Sequence, residues 1–227
     1  MVTEMGRQPS SEGSFAAVIG GLVRSRSSTA RGELHGRVAE AIERVNREVT
    51  GAQPLTQTVG DEFQGLYRSL PDAIEVTLLV RLYLVGVTDV RFGIGWGSLE
   101  VFDPEALPYQ QDGPAWWAAR DALDRVAGAQ QQRETPKGWR TAFTGEELGP
   151  TTEFVNAFLV CRDELMDRLG ERDARIMTGL MEGLTQQKLA AREGVTQSAI
   201  AQRIASSGIY ALLRSHRTLK DAASWKR

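Results

Sequence analysis

Two short stretches in the first third of the chain join residue types that handle anions and divalent cations. One is Gly20-Gly21-Leu22-Val23-Arg24-Ser25-Arg26-Ser27-Ser28. Glycines and serines here permit close backbone approach to an anion, Ser25 can bond it, and Arg24 and Arg26 can neutralise it. The other is Val59-Gly60-Asp61-Glu62-Phe63-Gln64-Gly65. Asp61 and Glu62 are candidates to hold Mg²⁺, which takes one or two carboxylates plus phosphate oxygens, with Gln64 beside them. A Gly-Asp β-turn with exposed charges is the competing reading of that stretch.

A different chemistry is written near the end of the chain, in LTQQKLAAREGVTQSAIAQRIASSGIYALL from Leu184 to Leu213. Thr185 suits an N-cap, and Gly194 falls one residue past the first helix, where a left-handed turn is required. Val195 plugs the turn, Thr196 caps the next helix, and Ile200 and Ile204 anchor that helix inward at i, i+4. Ala190 is small enough to let the two helices cross closely. This pattern predicts a helix-turn-helix that binds double-stranded DNA through its second helix. Gln197, Ser198, Ala199, Gln202 and Arg203 are left for base edges, with Gln suited to adenine and Arg to guanine. Gln186, Gln187 and Lys188 open the first helix and suit phosphate contacts. A plain helical hairpin with a solvated polar face is the alternative.

Both groups need elements to position them. Phe15–Gly20 reads as a buried strand broken by the paired glycines, and Arg31–Val49 has helical periodicity. Leu55–Val59 and Phe63–Tyr67 read as strands around the tight turn Gly60-Asp61-Glu62. Pro71 opens a helix running to about Val85, and Val90–Leu99 alternates as a strand. The order β-α-β-β-α-β predicts an α+β, ferredoxin-like palm in which both helices cover one face of an antiparallel sheet. Asp103–Gln111, with Pro104 and Pro108, reads as a loop. Pro114 starts a helix to about Ala129, and Gly138–Phe143 could add a strand. Glu146–Thr152, with Gly149-Pro150, reads as a hinge, followed by helices at Glu153–Leu169 and Glu171–Met181. The expected organisation is therefore a disordered tail over 1–14, the palm-like domain over 15–148, and an all-α linker with the helix-turn-helix over 149–227.

Composition agrees with two modules of different character. The chain of 227 residues carries a net charge of −2. From Leu184 to Arg227 eight Lys and Arg face two acids, a surplus of +6, which leaves −8 for residues 1–183. A basic module on an acidic one suits a DNA-binding end on a partner that does not bind DNA. Cys161 stands alone, so neither an intrachain disulfide nor a cysteine metal cluster is possible, and His35 and His216 show no ligand spacing. No apolar run approaches the ~20 residues of a membrane helix, and no secretory h-region opens the chain, which reads as cytoplasmic.

The segments AAVIGGLVRSR, VGDEFQGL, RFGIGWG, DGPAWWAARDAL and LTQQKLAAREGVTQSAIAQRI, in this order, resemble the SatD family of bacterial proteins. The resemblance runs from about Phe15 to Leu213 and implies a C-terminal DNA-binding helix-turn-helix. It also implies a distant similarity of the N-terminal half to the palm-like catalytic domain of class III nucleotide cyclases. Those enzymes bind two metal ions through an aspartate ending the first strand and another in the hairpin. Family members usually read Gly-Asp where this chain has Gly20-Gly21, so only Asp61 matches, and a two-metal centre lacks one clamp. In the family-like segment Asp112 to Arg120, Trp116 or Trp117 could stack on a base and Arg120 could meet a phosphate. Core packing of the tryptophans is the alternative. The expectation is a homodimeric DNA-binding transcriptional regulator whose degenerate cyclase-like palm senses a nucleotide, with or without Mg²⁺, or mediates dimerisation. The alternative is a Mg²⁺-dependent nucleotide-processing enzyme carrying a DNA-binding module.

Overall fold

The computed structural model describes residues 13–23, 31–58, 60–103, 110–145 and 148–222. Its first part runs β1 (Phe15–Val23), α1 (Arg31–Glu48), β2 (Gln53–Gln57), β3 (Glu62–Tyr67), α2 (Leu70–Tyr83) and β4 (Asp89–Gly97). It continues through β5 (Glu100–Asp103), β6 (Gln110–Asp112), α3 (Pro114–Ala129) and β7 (Thr141–Thr144). Five helices close the described chain: α4 (Thr151–Asp167), α5 (Glu171–Met181), α6 (Gln186–Glu193), α7 (Gln197–Ser206) and α8 (Ile209–Asp221). The class is the mixed α and β architecture that the sequence predicts.

β1 is the middle strand of a five-stranded sheet ordered β2-β3-β1-β4-β7, antiparallel to both neighbours, while β7 lies parallel to β4. Ala16 to Ile19 are all buried, because successive side chains enter cores on opposite faces of the sheet. Ala16 and Val18 meet α1 and α2, while Ala17 and Ile19 meet α3. The expected strand break at Gly20-Gly21 does not occur. β1 continues to Val23, with Gly20 opposite Phe63 and Gly21 opposite Glu62. A Cβ on Gly20 would lie 2.1 Å from the Phe63 ring, so this glycine admits an aromatic across the strand and does not end it.

Sheet coverage extends the expected arrangement. α1 and α2 share one face as predicted, and α3 covers the other. Its close approach depends on β4 glycines: a Cβ on Gly93 would lie 1.9 Å from the Ala119 carbonyl oxygen, and one on Gly95 2.1 Å from that of Ala115. The segment expected as a loop over Asp103–Gln111 instead contributes to a two-stranded hairpin of β5 and β6. Those strands are only four and three residues long, too short for periodicity to signal them.

α2 is predominantly apolar and, Asp72 apart, buried from Leu70 to Leu82. Such a helix must be covered all round. The sheet lies on one side of it, and Leu78 and Leu82 on the other side join a second core with residues of α4 to α8. α4 ties the two parts together through charge. Asp163, fully buried, accepts from the backbone N–H groups of Arg140 (2.8 Å) and Thr141 (2.6 Å). It also pairs with Arg81 of α2 at 2.7 Å and with Arg162 at 2.8 Å. Arg162 spends its remaining donors on the Ile74 carbonyl, Thr77 and Thr141. Burial pulls its guanidinium below the usual range, and the Asp163 charge opposes that.

Candidate functional site

The residues singled out in the N-terminal half divide between the two faces of the sheet. Glu62 opens β3 on the α3 face, where Arg120 donates to both its oxygens at 2.8 and 2.7 Å. The Arg120 hydrogen bond holds the Glu62 carboxyl below its usual value. Asp61 lies one residue earlier, in the turn made by Gly60 at φ 81°, with its Oδ1 3.7 Å from Nε2 of His35 on α1. The two carboxylates thus address helices on opposite faces, and one is already neutralised by an arginine. They do not fit a shared magnesium site. Among the described residues no group of three or more His, Cys, Asp or Glu gathers where an ion could sit.

A groove of 540 Å³ on the α3 face collects several of the expected ligand residues: Gln64, Trp116 and Arg120, with Gln111 of β6 and Asp121 and Asp124 of α3. Gly21 lies at the same level of the sheet as Glu62, and a Cβ on it would meet nothing within 4 Å. The two tryptophans separate: Trp116 packs in the core with Ala17, Ile19 and Leu66, while Trp117 is 61% exposed. Asp112 acts structurally, its Oδ1 accepting from the Gly113 N–H at 2.8 Å and from Trp117 Nε1 at 2.7 Å. Gly113 takes φ 142° before Pro114 begins the helix, and Ala115 approaches Gly95, so this motif sets where α3 starts. Gly20 is covered by Phe63 on the opposite face from the groove. Arg24, Ser25 and Arg26 lie outside the described residues.

The groove's electrostatics limit what it can hold. Among the described residues its one lining cation, Arg120, is matched by Glu62, and Asp121 pairs with Arg125 at 3.1 Å, which leaves Asp124 as the unmatched charge. The Trp116 indole N–H and the Gln111 Oε1 are buried without hydrogen-bond partners among the described residues. An exposed aromatic face, a donor and an acceptor suit a planar polar group.

At the other end of the chain α6 and α7 form the expected helix-turn-helix. Thr185 Oγ1 accepts from the Lys188 N–H and Thr196 Oγ1 from the Ala199 N–H, closing both helix starts. Gly194 adopts φ 66°, and the Val195 N–H returns to the Ala190 carbonyl at 3.0 Å. Leu189, Ala190, Ile200 and Ile204 are buried together with Ile209, Leu212 and Leu213 of α8. Gln187, Lys188, Thr196, Gln197, Ser198, Ala199 and Gln202 are exposed, while Gln186 is half-buried and donates to Tyr210 at 3.4 Å. Arg203 is committed inward: its guanidinium grips the buried Asp173 of α5. Sequence reasoning also missed the cluster of Arg172, Arg175 and Arg192 around Glu193, whose side chain is 5% exposed. The Arg175 hydrogen bond holds the Glu193 carboxyl below its usual range.

Three solved structures show weak similarity to this chain. A bacterial light-regulated adenylyl cyclase is 14% identical over 58% of this chain and 43% of its own, with a TM-score of 0.45. This chain thus matches less than half the length of that cyclase. The catalytic core of a rhodopsin-guanylyl cyclase is 14% identical over 49% of this chain and 72% of its own, with a TM-score of 0.36. A regulator of polyketide synthase expression from Bifidobacterium adolescentis is 16% identical over 92% of this chain and 81% of its own, with a TM-score of 0.31. No curated protein matches the sequence. No helix among the described residues is long and apolar enough to cross a membrane. The SatD family model matches residues 15–223, and the chain belongs to the SatD family.

Proposed function

We propose that the chain is a DNA-binding transcriptional regulator, acting as a homodimer, in which the palm-like domain carries and controls the reader. The observation that carries this reading is the geometry of α6 and α7. Both helices are capped, the turn is left-handed at Gly194, and one side of α7 is anchored by Ile200 and Ile204 while Gln197, Ser198 and Gln202 stay exposed. A helix held in this way can present amide and hydroxyl groups to base edges in the major groove. The surplus of +6 in the last 44 residues adds phosphate affinity. Two copies would place their α7 helices about 34–36 Å apart on successive turns of one duplex face.

Selection from a random duplex library tests the reading. Enrichment of a defined site, with affinity that falls steeply as salt rises, is the expected result. Gln202→Ala should weaken the best site by about 1–3 kcal/mol and relax preference at one base position. Failure to enrich any site would refute the reading.

A further inference from the structure

A second and larger cleft, of 1190 Å³, opens at the end of the sheet where β1 finishes and β4 begins. Its chemistry is opposite to that of the α3-face groove. Five cations line it, Arg37, Arg91, Arg133, Lys137 and Arg140, against two acids, Glu33 and Asp89. Asp89 is paired with Arg140, and Arg91 donates to Gln130 at 2.6 Å. Arg37, Arg133 and Lys137 are exposed and make no side-chain hydrogen bond or ion pair among the described residues. They come from α1 and from the loop after α3, so the fold assembles three uncommitted positive charges at one opening. Local sequence does not bring them together.

We propose that this cleft binds a small organic or inorganic polyanion carrying two or more linked phosphate groups. Three cations on two segments can bond successive phosphates, whereas a single inorganic anion would leave most of the volume empty. Two walls of the cleft bear directly on the C-terminal helices. Gly86 lies against α5 so closely that a Cβ there would fall 2.5 Å from Cγ of Glu171. The Arg140 N–H donates to Asp163 of α4 at 2.8 Å. A bound polyphosphate therefore presses on the elements that seat α5 to α8, and its occupancy alters DNA affinity. That coupling rests on the DNA-binding reading, whereas binding in the cleft does not.

Calorimetry on the full chain at constant ionic strength, with pyrophosphate, tripolyphosphate and ATP as probes and sulfate as control, tests the site. Saturable binding of the linked phosphates is expected, with sulfate inert. Arg37→Ala with Arg133→Ala should weaken it by at least about tenfold, as should Lys137→Glu alone. All three side chains are exposed, so the unliganded variants should melt with the parent. No binding by any probe, binding unchanged in both variants, or equal binding of sulfate would overturn the site. So would variants that lose only nucleic-acid affinity, since the patch would then be a nucleic-acid surface. Gel shifts on the selected duplex read the coupling: unchanged DNA affinity at saturating tripolyphosphate overturns it. A chain that binds tripolyphosphate but no duplex at all refutes the DNA reading and leaves the cleft assignment standing.

Discussion

Replacing Asp163 by Asn tests whether one buried carboxylate holds the palm and the C-terminal helices in a fixed relation. Asp163 is fully buried; its Oδ1 accepts from Arg162 at 2.8 Å and lies 2.7 Å from Nη1 of Arg81 as an ion pair, while its Oδ2 accepts from two backbone N–H groups. An asparagine amide keeps the shape, but whichever way it is turned it sets an NH₂ group against donors. It also leaves two buried guanidinium groups with no counter-charge. Removing one partner of a buried ionic group costs about 3–5 kcal/mol, mostly as desolvated charge left behind. For a chain of this size that corresponds to roughly 10 °C in Tm. Arg81→Met should cost less, because Asp163 keeps Arg162 and both backbone donors. Arg162→Met should fall between, since it strands the Ile74 carbonyl, Thr77 and Thr141. Urea unfolding followed by circular dichroism and by tryptophan fluorescence gives the three values. A cost under about 1 kcal/mol for Asp163→Asn, or one for Arg81→Met as large as for Asp163→Asn, would show that Asp163 is not the anchor.

Arg203→Ala should lower stability by about 1–2 kcal/mol, because it uncovers a buried carboxylate from a half-exposed partner, and should leave base preference intact. A changed selection profile at unchanged Tm would return Arg203 to the reading face. Gly194→Ala should cost about 1 kcal/mol from its positive φ alone, since a Cβ there meets no atom within 4 Å; a neutral result in urea unfolding contradicts this. Gly21→Asp has the same free space and sets a carboxylate directly opposite Glu62, so the variant should fold and its Tm should rise with added Mg²⁺. A Tm indifferent to Mg²⁺ in the variant would disprove that placement. Burial, with Lys220 next in effect, pulls His216 below the usual imidazole value, so its contribution is present above about pH 6.5 and lost as pH falls. Glu75, 3.8 Å away and pushed up by burial, acts in the other direction. Stability measured at pH 7, 6 and 5 should therefore fall more steeply for the parent than for His216→Gln; parallel profiles would contradict the assignment.

Local pattern determined a good part of this protein. The helix-turn-helix was legible because caps, turn glycine and inward anchors are short-range features that recur at fixed spacing, and the helix starts at Pro114 and Glu171 follow from the same chemistry. The βαββαβ order also follows from periodicity and turn residues. Tertiary structure alone decided where charge is spent. Nothing adjacent in sequence pairs Glu62 with Arg120, 58 residues apart, or Arg203 with Asp173, 30 residues apart, yet those pairs withdraw residues that spacing offered as ligands or readers. Glu75 and Arg81 sit in a mostly apolar helix, and only the structure shows that both are buried and which groups face them. The polyanion cleft draws on α1, β4 and the loop after α3, three segments that are distant in sequence and meet only at the end of the sheet. Short-range physics wrote the elements and their ends. Long-range packing chose which charges remain free to act.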